Sequence, residues 1–171
     1  MSRIALVRVD DRLIHGQVVI KWLGRVGSGE VLIVDDELQH DRFMQSVLRL
    51  AAPPGSRVEV LGVQAAAERL APQATREGSV IVLVRSPETA LELLEHGVAF
   101  SELNIGGLAG GPDAVRLFKS VSATERQMAA LRAVGDRGVR VYYQMVPEER
   151  PIEVSEVLRT RHQRVPAEGP L

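Results

Sequence analysis

The stretch VRVDDRLIHGQV, residues 7–18, gathers two arginines, two aspartates and a histidine between apolar runs. These are the types needed to move a charged group. A neutral imidazole is a nucleophile near physiological pH. Guanidinium groups match phosphate oxygens bidentately, which makes Arg8 and Arg12 candidate clamps. Asp10 and Asp11 would repel a phosphate held directly against them, so their expected work is to orient His15 or the arginines. Gly16 lets the backbone approach a ligand closely, and a helix starting there would present free N–H groups to an anion and favour the neutral ring of His15. The set suits a histidine that carries or receives a phosphoryl group. The same residues also read as a capped surface turn with an ion pair worth little, and on residue types alone both readings stand.

The elements that must position this stretch are short Val- and Ile-rich runs, each followed by a segment of helical period. Strands are expected at 3–9, 30–36, 57–63, 79–85, 102–107 and 139–146. Their near-continuous apolar character is that of strands covered on both faces. Helices are expected at 16–26, 41–52, 63–73, 86–97 and 122–138, with Asp41, Ser86 and Ser122 or Thr124 as caps, Pro87 at a first helical position and Gly97 as a stop. A short helix near 152–159 completes the pattern. Strand–helix alternation predicts one α/β domain with a mainly parallel central sheet, helices on both faces and the functional loop after the first strand. The domain is expected over residues 1–160, with 161–171 a disordered tail. Ligands of such sheets bind beyond the carboxyl ends of the strands, which selects the loops 10–16, 35–41, 85–87 and 106–112.

Other chemistries fit poorly. The 171 residues suffice for one core, and a net charge of −1 gives no reason to expect nucleic acid. The absence of cysteine excludes thiol chemistry and thiolate metal sites. His15, His40, His96 and His162 never recur at metal-ligand spacing, and neither metal nor cofactor is expected. There is no Gly-x-Ser-x-Gly elbow. GGLAGGP, residues 106–112, lacks the Lys-Ser/Thr ending of a phosphate-cradling loop and reads equally as a turn. Trp22 reads as a core anchor of the first helix, His96 as a helix-end residue, and Asp41 as a cap. No apolar run is long enough to span a membrane and no signal-peptide layout opens the chain, so a cytoplasmic location is expected.

VRVDDRLIHGQVVIKW resembles the signature of the IIB component of the mannose/fructose/sorbose branch of the bacterial sugar phosphotransferase system (PTS). The resemblance continues through VLIVDDELQHDRFMQSVLRLAAPPG, NIGGLA (104–109), SVSATERQMAALRAVGDRGVRV (120–141) and QMVPEE (144–149), covering about residues 3–158. It implies a phosphotransferase of the protein-N(π)-phosphohistidine–sugar type. His15 would take phosphate on Nδ1 from a phosphorylated IIA protein and pass it to a sugar held by the membrane components IIC and IID, at whose cytoplasmic side the protein would sit. Arg8, Arg12 and Asp10 would serve the transfer, and Asp11, Gly16, Gln17, Asp36, Gly106 and Gly107 would line the phosphate-binding loops. A homodimer, or work with a dimeric IIA, is also implied. The loop after NIGG departs from the family in carrying no basic residue before Arg116 and Lys119. That departure motivates the alternative of a regulatory phospho-relay without a sugar acceptor; a binding module that lost the chemistry is disfavoured by intact Arg8, Arg12 and His15.

Overall fold

Residues rich in Val, Ile and Leu on both faces of each strand force a sheet with two covered sides. The computed structural model describes residues 3–74 and 77–162. In chain order it contains β1 (Arg3–Asp10), α1 (Val18–Val26), β2 (Glu30–Val34), α2 (Arg42–Ala51), β3 (Arg57–Leu61), α3 (Val63–Leu70), β4 (Ser79–Val84) and α4 (Pro87–Glu95). Then follow β5 (Glu102–Gly107), β6 (Val115–Phe118), β7 (Val121–Ala123), α5 (Glu125–Asp136), β8 (Arg140–Tyr143), β9 (Ile152–Glu153) and α6 (Val154–His162). The main sheet has the order β3-β2-β4-β1-β5-β8-β9, parallel except for the last strand, and β6 and β7 form a separate antiparallel pair.

Alternation along each strand builds two cores. Leu6, Val31, Ile33, Val58, Val60, Ile81 and Leu83 pack against Val19, Trp22 and Leu23 of α1 and Leu48 of α2. Val7, Val9, Leu32, Val34, Val82, Leu103, Ile105 and Val141 face the other way, onto α3, α4, α5 and α6. Each such aliphatic side chain, removed from water, contributes about 1.5–3 kcal/mol before the entropy of ordering it. The crossover after β1 therefore leaves on one face toward β2, and the crossover after β4 leaves on the other toward β5. The carboxyl end of β1, with β4 on one side and β5 on the other, lies where the winding reverses, the usual crevice for a ligand in open parallel sheets.

The α/β class, the parallel sheet and the helices on both faces are as the sequence predicts, with local differences. Gly16 has φ +48° and Leu13 φ +56°, left-handed values that a helix cannot contain, so α1 begins at Val18 with Gln17 at its N-cap rather than at Gly16. Asp41 caps α2 by accepting the Met44 N–H at 2.9 Å, and Thr124, not Ser122, caps α5 in a reciprocal box with Gln127. The last expected strand stops at Tyr143, and three short strands were not expected: β6 and β7, which follow the glycine-rich loop, and β9, which precedes α6. Of the expected tail 161–171, Arg161 and His162 belong to α6, and residues 163–171 lie outside the described residues. No described helix is long and apolar enough to cross a membrane.

Candidate functional site

The side chains of Arg8 and Asp10 leave β1 on the α1 face, two residues apart, because strand side chains alternate. Both are buried, at 1% and 0% exposure. A charge so enclosed needs partners, and Asp10 has five donors. Oδ1 accepts from the Arg12 N–H at 3.2 Å and Arg12 Nε at 3.1 Å, and Oδ2 accepts from Arg12 Nη2 at 3.3 Å. Oδ2 also accepts from Arg8 Nη2 at 3.1 Å and from His15 Nε2 at 3.0 Å. Burial alone would raise the pKa of this carboxyl. The hydrogen bonds from Arg12 and His15, with the charges of Arg8 and Arg12, more than offset it and hold Asp10 below the ordinary carboxylate value.

A carboxylate only accepts hydrogen bonds, so the imidazole must carry its hydrogen on Nε2. The neutral ring then has its lone pair on Nδ1. Among the described residues none hydrogen-bonds Nδ1, and the His15 side chain is 23% exposed. The left-handed turns at Leu13 and Gly16 fold the ring back onto Asp10, while Leu13 and Ile14 anchor the loop in the core.

The two arginines differ. Arg12 has a half-exposed guanidinium that lies along Asp10 and touches Met145 Sδ at 3.6 Å. Arg8 does not face the open side at all. Its Nη1 donates to Asn104 Oδ1 and to the Gln144 carbonyl at 3.0 Å, and its Cζ lies 5.6 Å from the centre of the Trp22 ring. Burial pulls its pKa down, and the charge of Asp10 pulls it back. Expected as a phosphate clamp, Arg8 is instead buried, with Asp10, Asn104 and the Gln144 carbonyl as its hydrogen-bond partners.

Gly106 and Gly107, expected as phosphate-loop residues, leave room for these arginines. A Cβ on Gly106 would overlap the Arg8 guanidinium, and one on Gly107 would stand 2.8 Å from Arg12 Nη2 and 2.8 Å from Asp10 Oδ1. Asp11 accepts the Ala109 N–H at 2.7 Å and so ties the glycine-rich loop to the site. Asp36 is not brought to the site: it accepts the Val63 N–H at 2.9 Å at the start of α3. Gln17 is exposed and gives α1 no side-chain cap. Asn104, Gln144 and Met145 were not anticipated as site residues. Asn104 had a signal, an amide inside the apolar strand ELNIGG, since a buried polar group requires partners. Gln144 contributes its carbonyl, which no side-chain pattern announces. Trp22 is the expected core anchor, and its Nε1 also donates to the Met145 carbonyl at 3.0 Å. Among the described residues no group of three or more His, Asp or Glu side chains is arranged to hold a metal.

The fold that carries this site is shared with solved proteins. The chain superposes on manxB from Thermoanaerobacter tengcongensis with a TM-score of 0.86 and 36% identity, covering 93% of this chain and 96% of that one. It superposes equally, at 0.86 and 31% identity, on the IIBSor domain of the sorbose permease from Klebsiella pneumoniae, covering 92% and 97%. The family model for the PTS system sorbose subfamily IIB component matches residues 4–168, and the chain belongs to that family. Among its relatives, the sorbose-specific EIIB component of Klebsiella pneumoniae is 32% identical over 89% of this chain and 93% of its own length. The fructose-specific EIIB component of Bacillus subtilis is 26% identical over 93% and 98%. The protein is thus a phosphotransferase-system component of the sugar-specific IIB kind.

Proposed function

We propose that the chain is a phosphoryl carrier with His15 as the carrying residue, Nδ1 as the carrying atom, and a hexose or hexosamine as final acceptor. The observation that carries this reading is the hydrogen bond between His15 Nε2 and Asp10, which commits one ring nitrogen and leaves the other without a hydrogen bond among the described residues, in a side chain that is 23% exposed. In the first step the Nδ1 lone pair attacks the phosphorus of a phosphohistidine on a IIA protein. The N–P bond of the donor breaks as the new N–P bond forms, and positive charge on the His15 ring is balanced by Asp10. In the second step a sugar hydroxyl oxygen attacks the same phosphorus, its proton passes to a base at the acceptor site, and the Nδ1–P bond breaks. Such transfers need positioning and charge stabilisation more than covalent help. Arg12, half exposed beside the ring, is the side chain placed to swing from Asp10 to the phosphoryl oxygens. The IIC and IID membrane components are the partners for the second step, which gives the protein a cytoplasmic working place at the membrane. The sugar class rests on relatives named for sorbose, fructose, mannose and N-acetylgalactosamine.

The test is incubation with a phosphorylated IIA donor, read by intact mass before and after acid. One acid-labile phosphate is expected on the wild-type chain and none on His15→Ala; a full phosphate load on that variant overturns the assignment. Arg12→Ala is expected to keep the fold and slow loading about tenfold or more, and an unchanged rate removes its role.

A further inference from the structure

Arg8 heads the fully buried side chains by size, and it is charged, so the groups that fix it decide where Asp10 points. Two of its three hydrogen-bond partners lie far from the histidine loop. Asn104 on β5 accepts from Nη1 through Oδ1, and its own Nδ2 donates to the Gln144 carbonyl at 3.1 Å. That same carbonyl accepts from Arg8 Nη1 at 3.0 Å. The amide is 0% exposed between Leu103 and Ile105, so water cannot replace either bond. The Gly106 backbone lies close against the guanidinium, since any Cβ there would overlap it, and the Trp22 ring centre lies 5.6 Å from Arg8 Cζ. Nη2 is then held toward Asp10 Oδ2, the oxygen that also takes His15 Nε2.

We propose that Asn104 is a positioning residue for His15, acting through Arg8 and Asp10: it pins the guanidinium, the guanidinium pins the carboxylate, and the carboxylate keeps the ring as its Nε2–H tautomer with Nδ1 outward. This rests on the carrier reading above. The slot requires an acceptor toward Arg8 and a donor toward Gln144, which is the polarity of an amide. Leucine would fill the volume and leave both groups unpaired. Aspartate would face the Gln144 carbonyl with an acceptor and compete with Asp10 for Arg8.

The experiment uses the full chain, with imidazole nitrogen NMR for the tautomer and the phospho-IIA assay for the transfer rate. The wild type is expected to show one ring tautomer, Nε2–H; an Nδ1–H ring overturns the proposal at once. Asn104→Asp and Asn104→Leu are expected to give mixed tautomers and transfer slowed about 10–100-fold, with phosphate still on His15. Gly106→Ala displaces Arg8 from a second position on β5 without touching Asn104 and is expected to do the same, which keeps the test decisive if a buried substitution at 104 prevents folding. Folded variants with the wild-type tautomer and rate overturn the positioning role. Should the wild type itself take no phosphate on His15, the carrier reading fails, while the tautomer comparison still judges Asn104.

Discussion

Residues 9–15 read VDDRLIH and residues 34–40 read VDDELQH, and both follow a buried parallel strand. The first builds the candidate site and the second builds a cap. In the second, Asp35 Oδ1 accepts the N–H groups of Glu37 and Leu38 at 3.0 and 2.8 Å, closing a 3-10 turn, and Oδ2 pairs with Arg85 Nε at 2.6 Å. His40 is left exposed at the end of that turn. In the first, Asp10 Oδ1 also accepts the N–H two residues on, that of Arg12 at 3.2 Å, but the Leu13 N–H goes to the Asp10 carbonyl at 2.9 Å, so the rest of the carboxylate meets the two guanidinium groups and the imidazole. Two differences separate them. Arg8 stands two residues before Asp10, where Ile33 precedes Asp35, so only the first carboxylate meets a buried cation from its own strand. Leu13 is left-handed, which turns the chain back and brings His15 to Asp10. The second aspartates behave alike, each accepting one N–H from a distant segment. A pattern of residue types thus places a carboxylate at a strand end, and its neighbours in space decide whether it orients a ring or caps a turn.

The two aspartates are not interchangeable. Asp10→Asn is expected to slow phosphate transfer from phospho-IIA about a hundredfold or more, because the amide no longer enforces one tautomer or balances a charged ring. Asp35→Ala should leave transfer within about twofold and cost about 1–2 kcal/mol in urea unfolding through the lost turn cap. Equal losses of rate would sink the distinction.

A smaller effect separates them under acid. Because the folded state holds Asp10 below its ordinary value of 3.8, its contribution to stability is present above that value and lost as pH falls through the lower folded one. Wild-type urea midpoints should therefore fall more steeply than those of Asp10→Asn between about pH 5 and pH 3. Parallel curves would mean that the carboxylate is not tied to its cations in solution.

Much of this was legible beforehand for physical reasons. Strands buried on both faces must be apolar throughout, which is why all six parallel strands stand out, and caps such as Asp41, Ser86 and Thr124 mark helix starts by their own hydrogen bonds. The crowding of ionisable groups near His15 was legible too, because charges beside a core need one another. What could not be read was depth. Arg8 and Arg12 are one residue type four positions apart, yet one is 1% exposed and the other has a side chain 45% exposed. That contrast depends on Asn104 and the Gln144 carbonyl, 96 and 136 residues away along the chain. The hairpin of β6 and β7 escaped because its strands are four and three residues long, too short for the alternation of Val121, Ser122 and Ala123 to stand out.

The smallest expected effect concerns the residue after each histidine. Gly16 is left-handed at φ +48°, whereas Asp41 is at φ −101° and serves as the cap of α2. A Cβ on Gly16 would meet nothing within 4 Å, so Gly16→Ala imposes backbone strain alone. The cost should be about 1–2 kcal/mol, seen as a melting temperature lowered by roughly 2–8 °C. If the glycine serves only to turn the chain so that His15 reaches Asp10, transfer stays within about twofold of wild type. A tenfold slower transfer at that modest strain would mean that the backbone at residue 16 comes close to the phosphoryl group, as residue type alone suggests. The loop would then bind the phosphate as well as aim the ring, a second respect in which it differs from residues 34–40.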